Sequence, residues 1–259
     1  MFTCNNQGLT TLIGVVPDGT VELDCRCNAL TTLEGCPDSV KRLLCTNNKL
    51  RTLKGVSPIV TELECSHNRL ESLQGCPDSI KVLYCNNNRL SSLEGCPKNV
   101  RIISCMYNQL NTLKGCSEKV NKLYCRRNNL SSLEYCSKSV IELNVAENKI
   151  TTLKHCPNSV RNLWCYANLL TTLRGCPLEV DILSCSHNKL VSCVICGKYW
   201  EDQDDRNNHI KNEILRSIRK MFAAKKIQKA WHHYWYENLL PDGYSRAAHR
   251  CAELCESIN

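Results

Sequence analysis

Asparagine recurs every twenty residues, at Asn28, Asn48, Asn68, Asn88, Asn108, Asn128, Asn148, Asn168 and Asn188, without interruption. Each sits in one frame, Leu-x-Cys-x-x-Asn-x-Leu-x-x-Leu-x-Gly-Cys-Pro. Such a short period means that one small unit is repeated, and a unit this small buries its apolar side chains only by stacking on its neighbours. The chain is therefore a solenoid. A solenoid offers a long ordered surface rather than a deep cleft, so its function is to be sought in a binding face.

Residues 40–53 show how one unit works. Val40, Leu43, Cys45, Leu50 and Leu53 are apolar, and most of the residues between them are polar. Leu43-Leu44-Cys45 reads inward, outward, inward, the alternation of a short strand. The remaining apolar positions do not continue that alternation, so the chain turns and buries them from other sides of the same coil. Stacked coils then align their strands into a parallel sheet with neighbours about 4.8 Å apart. Backbone groups that lose their ladder partners at the strand end stay buried and need others. An Asn side chain carries both donors and acceptors and can serve its own coil and the next, so nine of them form a ladder.

The pattern resembles the leucine-rich repeat, whose strand segment L-x-x-L-x-L-x-x-N-x-L is matched by Val40, Leu43, Cys45, Asn48 and Leu50. The twenty-residue unit, with Pro nine residues after the Asn (Pro37, Pro77, Pro97, Pro157, Pro177), is similar to the short repeats of bacterial type III secreted effectors. The Cys-for-Leu and Gly-Cys-Pro variations are similar to repeats encoded by large DNA viruses of protists. The resemblance covers roughly residues 2–196. It implies a leucine-rich-repeat solenoid over 1–197, with a parallel sheet on the concave face and an extended, irregular convex side.

The frame has exceptions. Val145 replaces the strand Cys, Tyr135 and His155 replace the Gly, and Ser57, Ser117 and Ser137 replace the Pro. The first unit has an extra residue and places Gln7 at the Asn position. With no capping segment before Phe2, the first strand is expected to offer an open edge for self-association.

Twenty-one cysteines could suggest a disulfide scaffold. Nearly all fall in two columns, one from Cys25 to Cys185 in the strand and one from Cys36 to Cys176 after the Gly. Both columns take Leu, Val or Ile in the family, so these are expected to be buried, unreactive, reduced thiols. Cys27 is the exception, projecting toward solvent. With neither a leader nor an apolar run near the ~20 residues of a membrane span, the expected setting is a reducing intracellular compartment, the cytoplasm or a virus particle.

Outward-facing strand positions are free of fold constraints and carry the functional signal. They bring Val82, Tyr84, Ile102, Met106, Tyr107, Tyr124, Arg126, Arg127, Trp164 and Tyr166 into one neighbourhood. Tyr, Trp, Met and Arg are the types enriched at interface hot spots, which points to a protein partner on the concave face, with Arg126 and Arg127 reaching its acidic groups. A stacking platform for single-stranded nucleic acid, built from Lys122, Arg126 and Arg127 beside Tyr107 and Tyr124, is disfavoured. Glu62, Glu64, Glu142 and Glu147 interrupt the basic stripe, and the net charge of +8 is spread over the surface.

After Gly197 the period ends. An acidic linker (198–207) contains Glu201-Asp202-Gln203-Asp204-Asp205, and 208–259 reads as a helical cap or docking segment. Its two apolar stripes, from Ile210 to Phe222 and at Ile227, Trp231, Tyr234 and Trp235, lie about 140° apart on a helix, so either the helix breaks near Ala223-Ala224 or the halves face different bodies. Residues 223–231 resemble the opening of an IQ motif, implying calmodulin-type binding, but His232, His233 and Glu237 depart from it. A basic helix lying on an anionic membrane is a further, disfavoured use. Cys193 and Cys196, with His209, Cys251 and Cys255, could suggest zinc. Both occupy repeat columns, so packing is preferred and no metal or other cofactor is expected. No nucleophile–base pair, metal signature or phosphate loop supports catalysis. The expected function is non-catalytic protein binding, or alternatively a structural role in assembling a virus particle, anchored by the C-terminal helices.

Overall fold

The structure is a computed structural model and describes residues 1–190 apart from Leu178. The linker, the helical segment with Ile227, Trp231, Tyr234 and Trp235, the IQ-like stretch and Cys193 and Cys196 lie outside the described residues.

Ten short strands form one parallel sheet in chain order. They are β1 (Phe2–Thr3), β2 (Glu22–Asp24), β3 (Arg42–Leu44), β4 (Glu62–Glu64), β5 (Val82–Tyr84), β6 (Ile102–Ser104), β7 (Lys122–Tyr124), β8 (Glu142–Asn144), β9 (Asn162–Trp164) and β10 (Ile182–Ser184). From β2 onward the register advances by one repeat, as in Leu23↔Leu43 and Leu143↔Leu163. Phe2 pairs with Leu23, which absorbs the extra residue of the first unit. The strand Leu, the strand Cys or Val145, and the Leu or Ile two residues after the Asn form continuous buried columns between sheet and convex side. The convex side has no helix among the described residues. It is built from two β-turns per coil, closed for example by Cys36 N to Leu33 O at 3.0 Å and Val40 N to Pro37 O at 3.1 Å.

The ladder is built as backbone accounting requires, with the neighbour on the preceding side. Asn108 Nδ2 donates to Cys105 O in its own coil at 3.1 Å and to Cys85 O in the coil before at 3.0 Å, while its Oδ1 accepts from Leu90 N at 3.0 Å. Every rung from Asn48 to Asn168 is buried and repeats this pattern. The residue just before each Asn, from Cys27 to His187, has a left-handed φ of 51–58° although none is glycine. That conformation is costly for such side chains, and the ladder and inter-coil bonds such as His67 N to Asn86 O at 2.8 Å hold it in place.

The exceptions to the frame have local causes. At Gly115, φ is +88° and an added Cβ would lie 2.5 Å from Leu93 O of the preceding coil. Tyr135 and His155 occupy the same column with φ of 64° and 69°. Where Ser replaces Pro, its hydroxyl stitches coils together: Ser57, Ser117 and Ser137 donate to Asp38 O, Lys98 O and Glu118 O, each at 2.8 Å. A Ser/Thr column not singled out in the sequence instead braces the turn within its own coil, as where Thr112 Oγ1 accepts from Lys114 N at 3.2 Å.

All described cysteines are free. The strand column is fully inside, but the second column differs from expectation: of its members only Cys156 is buried, and Cys36, Cys76, Cys96, Cys116, Cys136 and Cys176 are half-buried because they sit in the convex turns. Even there burial pushes thiols up, Cys96 and Cys176 to about 12.

Replacing Asn108 by Leu strips partners from backbone groups in two coils. We expect a loss of about 2–4 kcal/mol in denaturant unfolding, against about 0.5 kcal/mol for a surface change. A second expectation concerns alkaline pH. Burial raises the thiols of Cys25, Cys45, Cys65, Cys85 and Cys165 well above their ordinary value, and a hydrogen bond with Cys125 together with burial raises Cys105. The folded state therefore keeps protons that the unfolded state releases above about pH 8.5, so the stability they contribute is full below that pH and lost as pH rises. The six contributions act in the same direction, so rising alkaline pH favours unfolding. Circular dichroism under reducing conditions should show loss of structure between about pH 9 and 10.5. A variant carrying Val at the six positions, as the column already does at Val145, should resist it.

Candidate functional site

The concave face is organised by strand register. The last residues of the strands form one row, in which Tyr84, Ser104, Tyr124, Asn144 and Trp164 are successive in-register partners. Rings alternate with smaller side chains, so Tyr84, Tyr124 and Trp164 stand about 10 Å apart on alternate strands. Ser104 is buried between two tyrosines, only 3% exposed. The rings are half-buried rather than fully open to solvent, because a residue on a curved sheet is flanked by its neighbours on both sides. Ile102 lies beside Val82 in the adjoining row. Met106, Arg126 and Tyr166 form the row at the strand ends, all half-buried.

Tyr107 and Arg127 are displaced from this group. Both occupy the left-handed position before the ladder Asn, with φ of 56° and 55°, and both are exposed. Each face arginine is already engaged, contrary to the expectation that both await a partner's carboxylates. Arg126 Nε donates to Glu147 Oε1 at 2.6 Å, and Arg127 pairs with the other oxygen of Glu147. Arg126 also lies 5.6 Å over the Tyr166 ring, and Arg127 lies 5.1 Å over the Tyr107 ring. The bond from Arg127, followed by that from Arg126, holds the Glu147 carboxyl below the usual range despite some desolvation.

A second network fixes the central ring. Tyr124 OH donates to Glu142 Oε2 at 2.6 Å, and Lys122 Nζ reaches Glu142 Oε1 at 2.8 Å. Burial and then the Glu142 bond push the Tyr124 hydroxyl up to about 12, so it remains a donor at neutral pH. Asn86 Oδ1 accepts from Ser104 Oγ at 2.7 Å and Met106 N at 2.8 Å, tying β5 to the end of β6. Sequence reasoning treated Glu142 and Glu147 only as breaks in a basic stripe. Their twenty-residue offsets from Lys122 and Arg127 were the available signal that these charges neutralise one another.

Toward β2 the face is closed by ion pairs. Arg26 makes two bonds to Asp24, at 2.9 and 2.8 Å, and Arg42 meets Glu62 at 3.2 Å. Leu44, expected to project outward, is buried beside them. A polar cleft of about 440 Å³ lies at this end, lined by Asn5, Asn6, Arg26, Cys27, Thr46, Asn47 and Glu64. Cys27 is the exposed thiol among the described residues. Brief iodoacetamide treatment of the native protein, followed by peptide mapping, should therefore modify Cys27 before any other described cysteine. Equal labelling of a strand-column thiol would show that the coils open on that timescale.

With this geometry in view, solved structures provide the comparison. YopM from Yersinia enterocolitica aligns over 74% of the chain with TM-score 0.61 and 26% identity. The functional domain of InlJ from Listeria monocytogenes, which includes a cysteine ladder, aligns over 73% with TM-score 0.54 and 24% identity. The leucine-rich-repeat domain of APL1B aligns over 74%, and over 70% of its own length, with TM-score 0.55 and 18% identity. The fold is a leucine-rich-repeat solenoid. The aligned region spans 45% of the YopM chain and 46% of the InlJ chain. No protein-family model and no curated protein sequence matches the chain.

Proposed function

We propose that this leucine-rich-repeat protein is a non-catalytic interaction module that grips a protein partner through the aromatic row of its concave face. The observation that carries this is the in-register series Tyr84, Tyr124 and Trp164 on β5, β7 and β9, with smaller side chains between the rings. Three half-buried rings at about 10 Å intervals present apolar edges with little rotamer entropy left to lose, a property of hot-spot anchors. The central ring is held by Glu142, and Tyr166 lies under Arg126, so the surface is ordered before a partner arrives. Preorganisation of this kind lowers the cost of association. The neutralised arginines supply stacking area and direction more than net charge.

The partner is first identified by affinity capture from the native source with mass spectrometry, then measured directly. The double variant Tyr124→Ala, Trp164→Ala should weaken binding by about 2 kcal/mol or more per anchor while the circular dichroism spectrum stays unchanged. Deleting residues 198–259 should leave that binding in place. Unchanged affinity in the double variant together with loss on deletion would move the site to the C-terminal segment and favour an anchored assembly role.

A further inference from the structure

Some charges on neighbouring coils of this protein pair across the coils. Glu34 meets Lys54 at 2.9 Å, Asp78 meets Lys98 at 3.5 Å, Glu94 meets Lys114 at 2.9 Å, and Lys122 meets Glu142 at 2.8 Å. One column carries cations on three successive coils without such a pair. Lys49, Arg69 and Arg89 each follow the ladder Asn, all three are exposed, and among the described residues none has a carboxylate partner. Their backbones are locked coil to coil, Lys49 N to Leu30 O, Arg69 N to Leu50 O and Arg89 N to Leu70 O, at 2.8–2.9 Å. The three cations therefore rise from the strand-exit edge at steps of about 4.8 Å, each repelling the next. Arg51 adds a fourth charge two residues beyond Lys49, and Glu71 follows it in the same column on the next coil. The strand-start edge also carries Lys41, Lys81 and Arg101, but the turns leading into it supply the exposed Asp38, Asp78 and Glu118.

The geometry points to this strand-exit row as a docking site for an acidic, extended segment of a protein partner. An extended chain laid along the edge presents alternate side chains about 6.7 Å apart, a mismatch with the coil step that flexible Lys and Arg stems absorb. The row spans about 10 Å, one Debye length at 0.1 M salt, so its charges act together on such a segment. A single-stranded nucleic acid is the poorer fit, because beside the three cations the flanking columns offer Asn47, His67 and Asn87 on one side and Arg51, Glu71 and Ser91 on the other, and Tyr107, one coil further on, is the one Phe, Tyr or Trp of these columns for bases to stack on. A membrane surface is poorer still, since beside the three cations these columns hold no apolar side chain to insert. The site is separate from the aromatic row and stands or falls independently of it.

The test uses the full chain and a fluorescein-labelled oligoglutamate peptide, read by fluorescence anisotropy at about 0.05 M and about 0.5 M salt. Binding is expected at low salt and lost at high salt. The variant Lys49→Glu, Arg69→Glu, Arg89→Glu should weaken it by roughly tenfold or more, and the milder triple change to Gln should act in the same direction. The control Lys41→Glu, Lys81→Glu, Arg101→Glu makes the same change in net charge on the opposite edge and should have a much smaller effect. Tyr124→Ala with Trp164→Ala should have none. Equal losses from the two reversed triples would reduce the effect to net charge and overturn the proposal, as would absence of binding at low salt. Tighter, row-dependent binding of oligothymidylate or of phosphatidylserine vesicles would replace the acidic segment with nucleic acid or membrane.

Discussion

The asparagine ladder is the interaction on which the rest of the fold depends. A coil of twenty residues has only three residues in strand, so most of its backbone leaves the sheet while still close to the core. Each buried rung takes up carbonyls from two coils and a backbone amide of the earlier one, as Asn128 does with Cys125 O, Cys105 O and Leu110 N. Without it those groups would be desolvated and unpaired, a penalty of about 1–3 kcal/mol each. The ladder also holds the left-handed residue before it, which swings the chain off the sheet and toward the convex side.

That same turn divides the functional surface. Residues within the strands stay on the concave face, where neighbours on both sides half-bury them. Residues at the left-handed position leave it, which is why Tyr107 and Arg127 stand at the exit edge while Tyr124 and Arg126 do not. Side chains one coil apart are close enough to interact directly, so the face arranges itself through partnerships between residues 18 to 21 apart in the chain. Tyr124 with Glu142, and Glu147 with Arg126 and Arg127, turn what reads as scattered charge into two ordered networks.

The cysteines follow the same logic of position. In the strand column they are small apolar fillers, interchangeable with Val145 and raised in pKa by the core around them. In the convex turns the identical residue type is only half covered, because a turn exposes its own backbone and leaves one side of the side chain outside the stack. Cys27 goes further and faces solvent at the mouth of a polar cleft.

The sequence by itself determined the solenoid, the length of its coil, the ladder and, Leu44 apart, which strand residues point away from the core. Those properties follow from an exact period, since each repeat must satisfy the same burial and hydrogen-bonding demands as the next. It also placed Tyr84, Tyr124 and Trp164 in one row. Only the tertiary structure decided how far that row is buried, that Arg126 and Arg127 are held by Glu147, that the residue before each of the nine ladder asparagines adopts left-handed backbone, and that Lys49, Arg69 and Arg89 rise unpaired along one edge. These depend on distances between residues twenty apart in the chain and on sheet curvature, and neither is set until the coils stack.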